Sequence, residues 1–341
     1  MVASSCTKSH QNPVTPPTTT PATNAAFAKG ADVSWLTQME ASNLKFQDST
    51  GAQQDCLLIL KGLGINSIRL RAWVNPASGW NKTTDVVAKA KRAKALGMKI
   101  LLDLHYSDTW ADPGHQTKPA AWTSLSFIDL QTALYTYTKG VMDTLKLNGI
   151  IPNWVQVGNE TNDGMCWPEG RISTNSNSFT NFAALLTQGY NAVKAVSDTT
   201  KVIVHLSNGY DNALFRWMFD GLTASGAKFD MIGMSLYPSF FSAGSSSWPS
   251  VNSQCLANMK DMTSRYSKPT MVVEVGMPEN DPITAKSFLT DLIAKSKSVD
   301  GGNGLGVFYW EPECYNNWQG YGLGAFDNVG KPTVAMNAFI K

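Results

Sequence analysis

The chain has 341 residues, 43% apolar and 16% charged, with a formal net charge of +2 and 11 tryptophans. That is enough apolar material for one large core, and near-neutrality without a long basic run argues against a nucleic-acid partner. No apolar run approaches the ~20 residues needed to cross a membrane, and low charge with abundant Trp, Ser, Thr and Asn suits an extracellular protein handling neutral polar ligands.

Residues 1–26 read as a tail and linker ahead of one folded domain over 27–341. The run from Gln11 to Ala25 is rich in Pro, Thr and Ala, which favours extended, solvated chain, so disorder is expected there. Met1-Val2-Ala3-Ser4-Ser5-Cys6 lacks the charged and apolar regions of an intact signal peptide. The small residues before Cys6 resemble the end of a bacterial lipoprotein signal. Cys6 is therefore a candidate lipid anchor on a secreted or cell-surface protein with a trimmed leader; an unmodified thiol is the alternative. The other cysteines (Cys56, Cys166, Cys255, Cys314) are widely spaced, with no C-x-x-C pair, so no zinc site is expected.

From Gly30 onward short apolar, β-branched runs alternate eight times with longer amphipathic stretches. Strands are expected over Gly30–Ser34, Ser67–Arg71, Lys99–Leu104, Trp154–Gly158, Val202–Leu206, Met231–Leu236, Met271–Val275 and Gly306–Trp310. Their near-continuous apolar character suggests a parallel sheet covered on both faces. In the helical stretch Asp85–Leu96, Val86, Ala90 and Ala93 mark the buried stripe, while Lys89, Arg92 and Lys94 are assigned to solvent. Gly64 and Gly97 stop helices just before the next strand. Eight strands with eight helices imply an α/β fold, a single (β/α)8 TIM barrel. An open doubly wound sheet fits less well, because no glycine-rich turn follows the first strand.

Active sites of such barrels lie at the C-terminal strand ends. The polar residues there are Asp32, Ser34, Arg69, Arg71, Asp103, His105, Asn159, Glu160, His205, Asn208, Tyr237, Glu274 and Glu311, with Trp310 beside them. No serine nucleophile elbow or Cys/His motif appears. Two carboxylates with aromatic neighbours suit glycosidic cleavage, which needs one protonated carboxyl and one ionised carboxylate on opposite faces of a sugar. Strands four and seven stand across the ring from each other, so Glu160 and Glu274 face one another. Burial is expected to raise the Glu160 pKa, and Arg69 to keep Glu274 ionised.

The stretches GADVSWL, NSIRLRAWVNP, DLHYSDTWADPGHQTKPAAW, VQVGNETNDGMCWPEGR, VIVHLSNG, MSLYP, VVEVGMP and GVFYWEPE resemble family fifty-three of the glycoside hydrolases, the endo-β-1,4-galactanases of clan A. The resemblance runs from about Phe27 to the C-terminus. It implies retaining endo-hydrolysis of β-1,4-galactan, the neutral side chain of pectin and type I arabinogalactan, with Glu160 as acid/base and Glu274 as nucleophile. It places Arg69, His105, Asn159, Tyr237 and Trp310 around the cleaved sugar, and Asp103, at the end of the third strand, is a further substrate-binding candidate. Bacterial relatives often hold calcium in a long loop after the seventh strand; here only Gly276–Asp281 precedes the next helix, so no metal or other cofactor is expected. A monomer with a polysaccharide substrate is expected.

Among the tryptophans, Trp35, Trp154 and Trp217 are assigned to the core. Trp73, Trp110, Trp122, Trp167 and Trp318 fall in strand-end loops, where exposed indoles stack on sugars; Trp110 and Trp167 are the substrate-binding candidates. By analogy with the clan, Trp310–Glu311 is a candidate cis peptide. The rival functions are another clan A glycanase, acting on mannan or glucan, and a non-catalytic glycan-binding surface protein. Retention of both carboxylates speaks against the latter.

Overall fold

In the computed structural model, which describes residues 1–2, 27–176, 178–240 and 244–340, eight parallel strands close into a barrel. They are β1 (Ala28–Asp32), β2 (Ser67–Ala72), β3 (Lys99–Leu104), β4 (Trp154–Val157), β5 (Lys201–Leu206), β6 (Met231–Leu236), β7 (Thr270–Val275) and β8 (Gly304–Tyr309). Pairing of β1 with β8 closes the ring. Cys6 and the linker, Gln11 to Ala25, lie outside the described residues.

The helices are α1 (Leu36–Ala41), α2 (Cys56–Gly62), α3 (Thr83–Ala95), α4 (Phe127–Leu147), α5 (Thr180–Val196), α6 (Asn212–Ala224), α7 (Trp248–Tyr266) and α8 (Pro282–Lys297). The expected one-helix-per-strand rhythm needs correction. Two short helices follow β1, and after β8 the outer layer is completed by a 3-10 turn, Val334–Phe339, packed on α8. Gly64 adopts φ +92°, and a Cβ there would stand 2.3 Å from the Phe339 carbonyl oxygen, so glycine is needed both for the turn and for this closure. No helix among the described residues is long and apolar enough to cross a membrane.

Side chains alternate in and out along each strand, and the lumen is layered accordingly. Ala28, Leu101, Trp154, Ile203, Met231, Met271, Val273 and Phe308 form a buried apolar cluster separate from the outer core. Phe308 fills the space over Gly30, where a Cβ would meet its ring at 2.0 Å. Further along the strands the character changes to Arg69, Asp103, Gln156, His205 and Ser235, all buried. The apolar plug thus supports a polar layer that opens toward the C-terminal ends.

Strand β7 breaks the alternation. Met271 and Val273 belong to the lumen and Val272 to the outer core, so strict parity turns Glu274 outward. A register shift instead pairs Met234 with Val272 and Ser235 with Glu274, leaving one extra β7 residue. Such a bulge re-aims the next side chain. Glu274 turns inward with it.

Several side-chain expectations also change. Lys89 is buried rather than solvated: its ammonium binds Asp85 at 2.8 Å, the Asn81 side-chain oxygen at 3.0 Å and the Ser34 carbonyl. Trp217 is 41% exposed instead of in the core, since α6 buries the stripe Phe215, Met218, Phe219 and Leu222 and Trp217 lies off it. Trp73 and Trp122 are buried rather than exposed, Trp122 against Tyr106 and Tyr137. The cis peptide among the described residues is Trp167–Pro168, not Trp310–Glu311. The Trp310 amide donates to Val275 O at 2.7 Å, which ties the residue to β7. Cys56, Cys166, Cys255 and Cys314 are all buried free thiols.

Candidate active site

The loop after β4 presents the first carboxyl. Gly158 turns the chain at φ +92°, where a Cβ would press to 2.6 Å on Thr161, and Glu160 itself sits at φ +45°. A left-handed non-glycine residue costs ~1–2 kcal/mol, offset here by anchoring to β5. The Glu160 amide donates to His205 Nδ1 at 3.3 Å, and the Thr161 amide to His205 O at 2.9 Å. Asn159 is fixed by donating to Ala111 O at 2.8 Å, while Gln116 donates to the Asn159 carbonyl at 2.7 Å.

The second carboxyl, Glu274, is gripped from two sides. Its Oε1 accepts the Tyr237 hydroxyl at 2.7 Å, and its Oε2 lies 3.1 Å from an Arg69 amino group. Arg69 is fully buried and also binds Asp32 at 2.7 Å, Asp103 at 2.9 Å, Asn159 at 2.9 Å and, through Nε, Gln156 at 2.8 Å. Burial and the three carboxylates act in opposite directions on its pKa, and the carboxylates prevail, so it stays charged. A buried charge needs such partners to be tolerated.

This environment drives the two carboxyls apart. Burial, reinforced by the negative charge of Glu274, lifts Glu160 to about 8. Burial also raises Glu274, but Arg69 and the Tyr237 hydroxyl favour its ionised form and hold it to about 6. Near neutrality the pair therefore carries one proton, on Glu160. His105 donates from Nε2 to Asp103 at 2.9 Å and accepts the Ala111 amide on Nδ1 at 3.0 Å; burial lowers its pKa and keeps it neutral.

Arg69, His105, Trp110, Asn159, Glu160, Glu274 and Trp310 all line one cavity of about 200 Å³. A neighbouring cavity of about 310 Å³ shares Glu160, Glu274 and Trp310 and adds Tyr237, Asn208 and the 72%-exposed Phe240. A third, about 380 Å³, is walled by Trp35, Trp73, Trp110 and Tyr321. Shared residues join the three into a groove across the barrel mouth. Trp35, assigned to the core by sequence, is buried but belongs to this wall, 5.5 Å from Trp110 and 5.3 Å from Trp310 between ring centroids. Trp167 is not brought to the groove. Its ring stacks on Arg171 at 4.1 Å and its Nε1 donates to Asp163 O. Asp103 lies below the cavity as a partner of Arg69 and His105.

Four contributors escaped sequence reasoning. Gln156 and Ser235 sit within strands, where a polar residue on an apolar run marks the lumen of a barrel. Tyr321, whose hydroxyl donates to the Trp310 carbonyl, lies in a loop with no distinguishing signal. Asp112 lines the cavity beside Glu160 and was passed over inside the ADPGH stretch. Glu311 and Glu313 are both fully buried; Glu311 pairs with Arg71 at 3.0 Å and accepts the Trp35 amide. They support the wall from behind. No group of three or more His, Cys, Asp or Glu among the described residues is arranged to hold a metal ion.

The family model for glycosyl hydrolase family 53 matches residues 28–286 and 278–339. A probable arabinogalactan endo-β-1,4-galactanase A from Neosartorya fischeri is 38% identical over 315 residues, 85% of each chain. An uncharacterised protein of Niallia circulans is 37% identical over 336 residues, 91% of this chain and 90% of its own. Among solved structures, a fungal β-1,4-galactanase superposes with TM-score 0.84 at 32% identity, covering 92% of this chain and 99% of its own. The Ignisphaera aggregans GH53 catalytic domain gives TM-score 0.82 at 29% identity, covering 92% and 95%. Sequence motifs, barrel and paired carboxyls agree, and the chain belongs to glycosyl hydrolase family 53.

Proposed function

We propose that this chain is an endo-β-1,4-galactanase that cleaves galactan and type I arabinogalactan with retention of configuration. The observation that carries the reading is the unequal pair of carboxyls, Glu160 protonated and Glu274 ionised near neutral pH. Glu274 attacks the anomeric carbon while Glu160 gives its proton to the departing glycosidic oxygen, leaving a galactosyl ester on Glu274. Ester formation removes the charge that had raised the Glu160 pKa, so Glu160, now a carboxylate, takes a proton from water as that water attacks the same carbon. Arg69 and Tyr237 stabilise Glu274 as it leaves. Asn159 and His105 line the space beside the reacting sugar, and Trp310 and Trp110 offer ring faces to the chain. The substrate assignment draws support from the activity named for the relatives that match over 85% or more of this chain. We read residues 27–341 as the catalytic domain, working outside the cell, with residues 1–26 as tether and Cys6 as acyl acceptor; an unacylated Cys6 in mass spectra of native material removes the anchor.

The test is release of reducing sugar from linear β-1,4-galactan by wild type, Glu160→Ala and Glu274→Ala. Wild-type activity is expected, with loss of several orders of magnitude in Glu274→Ala and azide rescue on an activated aryl galactoside. Activity on mannan or glucan instead would replace the substrate and keep the mechanism. Glycan binding without hydrolysis would leave a binding protein.

A further inference from the structure

The loop that carries Glu160 is braced from the neighbouring loop, the one after β3, by a side chain that the double-displacement scheme does not use. Gln116 is 2% exposed and lines none of the three cavities of the groove, which keeps it off the sugar chain. Its Nε2 lies 2.7 Å from the Asn159 carbonyl oxygen, 3.0 Å from that of Asp112 and 3.4 Å from that of Glu160. Carbonyl oxygens accept and cannot donate, so these three fix the amide with its nitrogen toward them. Turned over, the group would set its own oxygen against all three.

The loop needs such a brace. Glu160 is a non-glycine residue at φ +45°, and this left-handed turn brings the Asn159 and Glu160 carbonyls to one donor. On the other side the Glu160 and Thr161 amides are held by His205, at 3.3 Å and 2.9 Å. Gln116 is itself anchored. Its carbonyl accepts the Trp167 amide at 2.8 Å, Thr117 forms a parallel bridge with Trp167, and Lys118 pairs with Glu169 at 2.7 Å. Residues 112–118 therefore grip the loop after β4 at two places, at Asn159 and Glu160 through the Gln116 side chain and at 167–169 through the main chain and an ion pair.

We propose that Gln116 is a positioning residue for the acid/base: it holds the main chain at Asn159 and Glu160 so that the Glu160 carboxyl stands within reach of the glycosidic oxygen. A general acid acts only within hydrogen-bond distance of the atom it protonates, and a displacement on the order of 1 Å costs about 100-fold in rate. The nucleophile does not depend on this brace. Glu274 is held by Arg69 from β2 and Tyr237 after β6, neither of which touches Gln116. The Asn159 side chain keeps its own bonds to Arg69 and the Ala111 carbonyl when Gln116 is exchanged. Loss of the Gln116 amide should therefore weaken proton donation and leave nucleophilic attack in place.

This inference rests on Glu160 as acid/base, and the test separates the two. Values of kcat/KM, which report the bond-breaking step, are compared on linear β-1,4-galactan and on 2,4-dinitrophenyl β-1,4-galactobioside for wild type, Gln116→Met and Glu160→Ala. A sugar must be protonated as it departs, whereas dinitrophenolate leaves unaided. Gln116→Met, similar in volume but without a donor, should lose ~10–100-fold on galactan and stay within about twofold of wild type on the dinitrophenyl glycoside. A merely structural fault in the groove would lower both. Equal losses on the two substrates, or no loss on galactan, overturn the positioning role. Should the methionine variant not fold, Gln116→Glu carries the same expectation, because an ionised carboxylate of the same shape cannot donate to the carbonyls. Glu160→Ala should show the same split more steeply; equal losses there remove the acid/base reading itself, whatever Gln116 does.

Discussion

Arg69 and Arg71 stand two residues apart on β2, point into the same barrel end and are both fully buried, yet their surroundings share little. Arg69 meets three carboxylates and two amide oxygens, so its charge is neutralised by groups that themselves reach the reacting pair. Arg71 has one carboxylate, Glu311, and lies 4.1 to 5.4 Å from the ring centroids of Trp110, Trp73 and Trp35. One arginine bears on the charge state of Glu274, the proposed nucleophile; the other is the floor of an aromatic wall. A planar cation suits both tasks, through its fork of donors in the first case and its flat face in the second. The residue type therefore says little until its neighbours are known.

The largest break in this comparison should come from Arg69→Met. It leaves Asp32, Asp103 and Glu274 facing one another without a countercharge. We expect kcat/KM to fall by about 10²–10³-fold, the acid limb of the pH profile to move upward, and stability to urea to drop by ~3–5 kcal/mol. An unmoved acid limb would detach Arg69 from Glu274.

The wild-type profile is the reference for that shift. Glu274 must be ionised, so activity rises as pH passes about 6, and Glu160 must be protonated, so activity falls beyond about 8. A bell between those limbs is expected in kcat/KM, belonging to the coupled pair as a whole. A single limb, or limbs in the reverse assignment after Glu160→Gln, would contradict it.

Arg71→Lys should act more gently and differently. The ammonium keeps the charge near Glu311 but loses the flat face under the indoles, so KM for galactan should rise ~3–10-fold with kcat and the acid limb nearly unchanged. A displaced acid limb would mean that the two arginines act as one unit. Smallest in its effect on turnover is Lys89→Met, which removes another buried cation, away from the groove. Steady-state kinetics should stay at wild type while urea denaturation shows ~3–5 kcal/mol lost, because Asp85 is left without its ion-pair partner.

Much of this was legible in the chain. Strands covered on both faces are nearly continuous in apolar residues, so all eight appeared, six of them starting within one residue of their true positions; β1 and β8 began two residues earlier than read. Strand ends follow from strands, and so did Glu160, Arg69, His105 and Trp310. What was hidden depends on contacts between distant segments. The inward turn of Glu274 needs a bulge that alternation does not announce, and Gln156 and Ser235 look like isolated polar residues until the closed lumen gives them partners. Lys89 has the spacing of a solvated lysine, but Ser34 and Asn81 from neighbouring loops enclose it. Trp167 sits in a motif loop yet turns its face to Arg171, a choice local sequence does not encode.

The most direct test is to trap the covalent intermediate. Wild-type enzyme incubated with an activated 2-deoxy-2-fluoro-β-galactoside, digested and analysed by mass spectrometry, should carry one fluorogalactosyl group on the peptide containing Glu274. That adduct would establish both retention and the nucleophile. A label on another carboxylate, or no adduct while proton NMR shows the product released with inverted configuration, would contradict the account.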